Sequence, residues 1–383
     1  MNQNPLLDLQ ALGQSIWIDF ISRGMLSSGE LKRLIKEDGV SGVTSNPSIF
    51  EKAITKSGDY DEAIRALSLQ EKTIDEIYQL LTVEDIQKVA DLLRPTYDRT
   101  DAQDGFVSLE VSPALAHNTK GTIHEARLLW SLVNRPNAMI KVPATREGIP
   151  AIKQLTGEGI NVNITLLFGL PRYQEVVNAY LEGLEVLASQ GRSLNHVASV
   201  ASFFLSRIDV LLDPVLEKKK LAAGPEADIA STLVGQVAIA SAKVAYQLYK
   251  ELFSSERFEK LANQGAHRQR LLWASTSTKN PMYSDTKYIE PLIGAETINT
   301  LPVETLDAYR DHGQPHLSLE QNISQAYHVL NKLSLVGIDL DRATQQLEDE
   351  GVDKFTSALD RLLLSIREKQ AARYPGALIE HER

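Results

Sequence analysis

The sequence contains no cysteine among its 383 residues. Disulfide bonds, thiolate zinc sites, iron–sulfur clusters and a cysteine nucleophile are therefore excluded. Long hydrophobic runs are missing as well, because no apolar stretch reaches the roughly 18 residues that a membrane helix needs. The segment 1–5 has neither the basic part nor the apolar part of a signal peptide. We expect a soluble cytoplasmic protein with no membrane partner.

Positively charged residues are fewer than negatively charged ones. There are 40 lysines and arginines and 50 aspartates and glutamates, so the net charge is −10. Such a field repels nucleic-acid phosphates, so no nucleic-acid partner is expected. The run 218–220, three lysines, is a local exception. It is typical of the solvated end of a helix.

Signals for metals and nucleotide cofactors are also missing. There is no P-loop and no dinucleotide-binding glycine fingerprint after a strand. His312 and His316 lie four residues apart, but an intervening glycine and proline oppose a helix between them. The segment 339–341 lacks the glycine of a calcium loop, and Asp341 is predicted to be a helix N-cap. The sequence therefore predicts no metal and no cofactor.

Short apolar runs alternate with longer amphipathic stretches along most of the chain. This alternation is typical of βα units around a parallel sheet. Eight such runs, each followed by a helical pattern, predict an α/β fold of the (β/α)8 TIM-barrel class. The predicted strands are 16–20, 42–45, 106–111, 138–142, 160–166, 196–202, 271–275 and 297–301.

Helical segments decorate the predicted barrel. One insertion covers about 47–93, and a second covers about 208–262 with a turn at Gly224 and the following proline. No low-complexity linker divides the chain, so 1–383 is predicted to form a single decorated barrel domain.

The C-terminal part has helical periodicity and no strand pattern. We expect a barrel with its insertions over 1–316 and a helical extension packed on it over 317–383. Gly351 is predicted to separate two helices of this extension. The stretch 371–383 is expected to fray beyond Pro375.

Four of the strands carry polar residues with a period of two, although both faces of a barrel strand should be apolar. Buried charges are costly unless they are paired. Each polar residue falls late in its strand, and barrels of this kind have their active sites at the carboxyl ends of the strands. The pattern predicts a polar pocket lined by Asp19, Glu110, Lys141, Asn163 and Thr165.

One lysine among carboxylates and amides is suited to Schiff-base chemistry, because a neutral amine attacks a ketone or aldehyde and the iminium then accepts electrons. Two carboxylates, Asp19 and Glu110, could divide the proton transfers of imine formation and of retro-aldol cleavage. A buried ion pair between Lys141 and either carboxylate is the structural alternative. For Asn163 and Thr165 the alternative is a hydrogen-bonded role in the fold.

Several segments resemble those of the transaldolase family, over about residues 6 to 365. The segment 43–50, VTSNPSIF, resembles the family's T-x-N-P-S segment, and 140–145, IKVPAT, resembles the segment with its Schiff-base lysine. The segment 159–168, GINVNITLLF, is similar to its double-asparagine segment. The strands 107–111 and 17–19 match those that carry its catalytic carboxylates. The length suggests the longer bacterial branch of the family.

The resemblance implies a cofactor-free transferase of the pentose phosphate pathway with sugar phosphates as its small-molecule partners. Such enzymes move a dihydroxyacetone unit from sedoheptulose 7-phosphate to glyceraldehyde 3-phosphate, giving erythrose 4-phosphate and fructose 6-phosphate. Lys141 would form the Schiff base, and Asp19 would take the proton of the C4 hydroxyl. Glu110 would act through a water held by Thr165. Family members are often dimers, so a homodimer is possible.

The resemblance also implies a binding site for the three-carbon unit. Asn46 and Asn163 would bind its hydroxyls, with Thr44 and Ser202 in the same pocket. Two alternatives stay open. One is a related lysine-dependent aldolase that releases the unit or uses free dihydroxyacetone, and the other is a catalytically dead sugar-phosphate-binding protein.

The substrate phosphate is expected near Arg207, because a guanidinium matches the geometry of a phosphate. The alternative for this arginine is a salt bridge with Asp209 or Asp213. Shorter family members carry S-F-R after the seventh strand, where this chain has S-T-S-T-K-N-P. We suggest that Lys279 replaces that arginine with the help of Ser275.

Overall fold

The structure, a computed structural model, describes residues 4–222 and 224–371. The predicted fraying beyond Pro375 lies outside the described residues. Eight parallel strands form a closed barrel in which each strand pairs with the next and the last pairs with the first. The predicted TIM barrel is therefore confirmed. The strands are β1 (Gln14–Ile18), β2 (Val40–Val43), β3 (Phe106–Glu110), β4 (Ala138–Pro143), β5 (Val162–Leu167), β6 (Ser199–Phe204), β7 (Arg270–Ala274) and β8 (Thr297–Leu301).

All eight predicted strands exist, and they differ from the prediction only at their ends. The largest difference is in β6, which begins three residues later than predicted. Val197 lies in a turn, because its N–H donates to the carbonyl of Leu194 at 3.1 Å. The apolar residue there belongs to the core without belonging to the sheet.

Helices surround the barrel and fill both predicted insertions. The α6 helix begins at a capping box in which Thr73 and Glu76 satisfy each other's backbone N–H groups. Within the described residues the helices are α1 (Pro5–Ala11), α2 (Arg23–Ser27), α3 (Glu30–Glu37), α4 (Pro47–Lys56), α5 (Asp61–Ser68), α6 (Ile74–Arg99), α7 (Thr119–Val133), α8 (Gly148–Gly157), α9 (Leu170–Ser189), α10 (Ser206–Lys220), α11 (Pro225–Leu233), α12 (Val237–Leu252), α13 (Glu256–Ala262), α14 (Val303–His312), α15 (Ile323–Lys332) and α16 (Leu340–Ala371).

The first insertion consists of α4, α5 and α6, and the second consists of α10 to α13. The three consecutive lysines end α10, as predicted. In the described part of the chain, no single helix is long and apolar enough to cross a membrane. The bent helix pair α11 and α12 together meets the requirements for a membrane span, but only by length and composition.

The C-terminal extension differs from the prediction in two respects. The predicted break at Gly351 is wrong, because α16 runs through this position without interruption. A β-carbon at Gly351 would lie 2.8 Å from Cδ2 of Leu166, so the glycine permits close packing. The predicted N-cap at Asp341 is also wrong, since Oδ1 of Asp339 accepts from the N–H of Arg342 at 3.0 Å.

Ion pairs hold α16 against the helices that follow the second strand. Arg361 pairs with Glu51 of α4 at 2.6 Å, and Lys369 pairs with Asp61 of α5 at 2.7 Å. The helix also packs on α6, α10 and β5. The extension is therefore part of the wall around the carboxyl ends of the strands.

The amino ends of the strands are closed by a polar network inside the barrel. Nε1 of Trp17 donates to Asp104 at 2.7 Å, and the Ser41 hydroxyl donates to the same carboxylate at 2.9 Å. Arg270 lies 3.7 Å from it and is largely buried. These contacts stabilise the end of the barrel opposite to the predicted pocket.

Candidate active site

Lys141, Glu110 and Asn163 lie side by side on three neighbouring strands. Strand register places Lys141 opposite Glu110 of β3 and opposite Asn163 of β5. All three side chains are buried, and Lys141 is only 3% exposed. Its Nζ lies 3.4 Å from Oε2 of Glu110 and donates to the carbonyl of Ser45 at 3.1 Å. The structure thus brings the predicted amine and one predicted carboxyl together.

Burial raises the pKa of the Glu110 carboxyl to about 7, although the charge of Lys141 acts in the opposite direction. The 3.4 Å separation is longer than the 2.7–2.9 Å of a charge-assisted hydrogen bond. Oε2 of Glu110 and Oγ1 of Thr165 are both buried without a hydrogen-bond partner. Buried polar atoms without partners are rare and call for an explanation.

Asp19 lies just beyond β1 and keeps part of its surface exposed. Its carboxylate accepts a hydrogen bond from the Thr44 hydroxyl at 2.7 Å. Thr44 in turn lies 2.8 Å from the hydroxyl of Thr300 in β8. Burial raises the pKa of Asp19, and the charge of Lys141 is the largest influence that lowers it. Asp19 and Lys141 therefore face the same end of the barrel.

Hydrogen bonds orient the amide of Asn163. Its nitrogen donates to the Ser108 hydroxyl at 2.9 Å, and its oxygen accepts from the Ser202 hydroxyl at 2.7 Å. Asn46 has a structural duty, because its amide oxygen caps α4 by accepting from the N–H of Ile49 at 3.1 Å. Its amide nitrogen is the part that can donate to a ligand.

Arg207 lies in the first turn of α10 between two aromatic rings. Its guanidinium carbon is 5.2 Å from the ring centre of Phe204 and 5.7 Å from that of Phe355 in α16. The predicted alternative, a salt bridge with Asp209 or Asp213, is wrong. These carboxylates instead bind lysine and tyrosine side chains of the segment after β7.

Four cations from separate elements act on one another at this end of the barrel. The pKa of Lys279 is lowered by burial and then by Lys52 and Arg207. The pKa of Lys354 in α16 is lowered by Arg207 first, then by burial, Lys279 and Lys52. Within 4–222 and 224–371, none of the four forms a salt bridge with a carboxylate. This cation cluster (Lys52, Arg207, Lys279 and Lys354) is suited to an anion.

Ser275, predicted to assist Lys279 at the phosphate, shares no hydrogen bond with it within the described residues. Its hydroxyl lies 2.9 Å from that of Ser206, whereas Nζ of Lys279 donates to the Ser277 hydroxyl at 2.5 Å. Ser275 and Leu166 both have a φ of +55°, in the left-handed region that side chains seldom adopt. Strain of this kind often marks functional sites.

Sequence reasoning missed several residues of this site. Ser108 and Thr300 orient predicted residues, and a signal existed for Ser108, because it lies two positions before Glu110 on the same strand face. Lys52 lies in the helix that Asn46 caps. Lys354 has no local signal, because only the docking of α16 brings it here. Among the described residues, no group of three histidine, cysteine, aspartate or glutamate side chains could hold a metal ion.

Comparisons with known proteins agree with this architecture. The protein-family model described as Transaldolase/Fructose-6-phosphate aldolase matches residues 16–366. A protein of Thiobacillus denitrificans named Transaldolase is 48% identical over 363 residues, which cover 95% of this chain and 99% of the relative. Transaldolase of Trichodesmium erythraeum is 45% identical, with 96% and 98% covered. Transaldolase 2 of a Nostoc species is 43% identical, with 96% and 97% covered.

Proposed function

The chain belongs to the Transaldolase/Fructose-6-phosphate aldolase family, and from this premise we propose that it is a transaldolase that works through a Schiff base on Lys141. It would transfer a dihydroxyacetone unit from sedoheptulose 7-phosphate to glyceraldehyde 3-phosphate, giving erythrose 4-phosphate and fructose 6-phosphate. The observation that carries the proposal is the buried Lys141 amine 3.4 Å from a carboxyl whose pKa is about 7. A group with such a pKa can give and take protons near neutral pH.

Imine formation uses Lys141 and Glu110. The neutral amine adds to the ketone carbon, and the carbinolamine then loses its hydroxyl as water. The proton for that water comes from the Glu110 carboxyl, which leaves an iminium and a carboxylate. A water between Glu110 and Thr165 would satisfy both of their unpartnered oxygens and would relay the proton.

Carbon–carbon cleavage uses Asp19. Its carboxylate takes the proton of the C4 hydroxyl, the C3–C4 bond breaks, and the electron pair moves to the iminium to give an enamine. The leaving part departs as an aldehyde. The enamine then attacks the aldehyde of the acceptor, and Asp19 returns the proton. Thr44 fixes the orientation of the carboxylate through its 2.7 Å hydrogen bond.

The three-carbon unit would lie among neutral polar side chains. The Asn163 amide is already fixed, because it donates a hydrogen bond to Ser108 and accepts one from Ser202, so it presents one orientation to a hydroxyl. Asn46 can offer its amide nitrogen from the start of α4. Preorganised groups of this kind lose little entropy when the substrate binds.

The substrate phosphate would lie in the cation cluster. Arg207 offers a planar guanidinium held between two aromatic rings, and Lys279, Lys52 and Lys354 add positive charge. A phosphate dianion would relieve the repulsion among these four side chains. Ser275 lies directly after β7, in the segment that leads to Lys279, and its hydroxyl is 2.9 Å from that of Ser206 at the start of α10. The phosphate site would thus include the C-terminal helix.

Borohydride trapping tests the proposal. Incubation with fructose 6-phosphate and borohydride should add a dihydroxyacetone-sized mass, and peptide mapping should locate it on Lys141. Lys243 is a matched control within the chain, because it is also buried and donates to the Ser318 carbonyl at 2.8 Å, far from the carboxyl pair. Lys141→Ala, which removes the amine, and Lys141→Arg, whose guanidinium stays charged, should both lose the adduct and the turnover.

The acceptor separates transfer from aldol cleavage. With erythrose 4-phosphate present and borohydride left out, a transaldolase passes the enzyme-bound three-carbon unit on to form sedoheptulose 7-phosphate. Formation of free dihydroxyacetone at the same rate would favour the aldolase alternative. Binding of sugar phosphates by folded protein without any lysine adduct would contradict the Schiff-base mechanism and favour the dead-site alternative.

A further inference from the structure

A cavity of about 120 Å³ lies on the side of Glu110 that faces the helices. We call it the rear cavity. It lies between β3, α6, α7 and α16. Its lining runs from Glu110, which is 7% exposed, to Asp75, which lies on the surface. None of the other predicted catalytic or binding residues lines it. Its lining also includes Tyr78, Gln79, Ser112, Glu125 and Leu363.

The polarity of the rear cavity suits water. Its lining includes Glu110, Tyr78, Gln79 and Glu125, all of which have polar side chains. Its volume corresponds to about four waters at roughly 30 Å³ each. The pKa of the Tyr78 phenol is raised by burial and then by Glu110 and Glu125, so both carboxyl groups act on it. Tyr78 therefore stays protonated and can donate a hydrogen bond within this space.

Glu125 is fixed at the wall of the cavity. Its Oε2 accepts a hydrogen bond from the backbone N–H of Ser112 at 3.0 Å, just beyond the strand that carries Glu110. Burial raises the pKa of Glu125, partly opposed by that hydrogen bond and by His124. A chain of polar groups thus connects Glu110 with the exterior without passing through the barrel mouth.

The proposed chemistry creates a need for such a connection. Each imine formation releases one water beside Glu110 and takes one proton from its carboxyl, and each hydrolysis consumes one water and returns the proton. During these steps a sugar phosphate would occupy the barrel mouth, with its phosphate in the cation cluster under α16. Because hydrolysis returns the proton to Glu110, only the water would then need a second route.

We propose that the rear cavity is a water passage, through which the water released and consumed beside Glu110 exchanges with solvent while substrate fills the barrel mouth. The inference rests on the proposed role of Glu110. Tyr78 and Glu125 are positioning residues in this view, since they order the water and do not touch the substrate. The competing view is that the cavity is an inert gap between packed helices.

Oxygen exchange measures the passage directly. Reversible imine formation replaces the C2 oxygen of fructose 6-phosphate with oxygen from solvent, so mass spectrometry in ¹⁸O-water reports the passage of water. Leu363→Trp should fill much of the rear cavity from the α16 side. Leu364→Trp is the matched control, because the neighbouring side chain is 53% exposed and does not line the cavity.

We expect Leu363→Trp to slow ¹⁸O incorporation at least fivefold, with an unchanged KM for fructose 6-phosphate, while Leu364→Trp exchanges at the wild-type rate. Tyr78→Phe, which keeps the ring and removes only the hydroxyl, should slow the exchange and alter its pH profile. Wild-type exchange in folded Leu363→Trp and Tyr78→Phe would overturn the inference. Wild-type protein that neither exchanges oxygen nor forms a Lys141 adduct would overturn the proposed function as well.

Discussion

The unusual proton affinity of Glu110 should be measurable as a dependence of stability on pH. Burial raises the pKa of this carboxyl from its ordinary 4.5 to about 7. The folded state therefore holds the proton more tightly than the unfolded state does. The free energy of unfolding is least reduced by this group below pH 4.5. It decreases as pH rises from 4.5 to 7, where the folded carboxyl ionises. The full decrease is about 3 kcal/mol, at 1.36 kcal/mol per pKa unit.

The test compares wild type with Glu110→Gln by urea unfolding at about pH 5 and about pH 8. The amide cannot ionise, so the variant lacks this contribution. Between the two pH values wild type should lose roughly 2 to 3 kcal/mol more stability than the variant, because only the first part of the change is complete at pH 5. Catalysis should fall sharply in the variant, since an amide cannot transfer the proton.

Glu158→Gln is the control for this prediction. The pKa of Glu158 is lowered, chiefly by its hydrogen bond from Arg127, so its titration in the folded state lies below 4.5. Its stabilising contribution is lost only as pH falls through that range, and the substitution should change stability equally at pH 5 and pH 8. If wild type and Glu110→Gln showed the same pH dependence, the proposed proton affinity of Glu110 would be wrong.

Three further substitutions test other parts of the structure. Gly351→Ala places a β-carbon 2.8 Å from Leu166 and 3.4 Å from Nη1 of Arg207 in the proposed phosphate site. Steady-state kinetics should therefore show a several-fold higher KM for fructose 6-phosphate, and an unchanged KM would contradict the close packing. Lys354→Met should raise the KM for fructose 6-phosphate by about fivefold, the effect expected from the loss of one partly screened charge near the phosphate. Lys354→Arg, which keeps the charge, should have the wild-type KM. If Lys354→Met left KM unaltered, the cation cluster would not include this lysine. Asp104→Asn should destabilise the fold by about 3 kcal/mol in urea unfolding, because the Arg270 guanidinium loses its charge partner. The value of kcat per folded molecule should stay unchanged, and a lower kcat would contradict the separation of the two barrel ends.

The barrel and its pocket could be predicted because their signals are local. Strand alternation has a period of two, and the carboxyl ends of parallel strands lie together, so Lys141, Glu110 and Asn163 could be placed on one face before any contact was known. The observed strand register agrees with this placement. Their hydrogen-bond partners were harder to predict, because the serine and threonine hydroxyls that orient them could equally have faced solvent.

The C-terminal helix could not be predicted to the same depth. Glycine weakens an isolated helix by about 1 kcal/mol, which is why Gly351 suggested a break. Tertiary packing decides otherwise, since only a glycine lets α16 approach Leu166 so closely. The same docking brings Lys354 into the cation cluster and Phe355 against Arg207, from a segment more than 140 residues after Arg207 in sequence. Contacts across that separation leave no periodic pattern in the sequence.

The cap of α16 shows the limit of local signals on a smaller scale. Asp339 and Asp341 both precede a helical pattern, and either carboxylate could accept a backbone N–H. The structure uses Asp339, which leaves Asp341 in the first turn, where a negative charge still favours the helix dipole. Composition alone does not separate two such positions.

The geometry of Lys141 and Glu110 bears on whether this pair serves stability or chemistry. A buried ion pair that served stability would be short and well hydrogen-bonded, and it would lower the pKa of its carboxyl. Here the distance is 3.4 Å, Oε2 of Glu110 has no hydrogen-bond partner, and the pKa is raised to about 7. The amine donates to the Ser45 carbonyl instead. The fold therefore carries an energetic cost at this position, and a proton shared near neutral pH beside a buried amine is what Schiff-base formation requires.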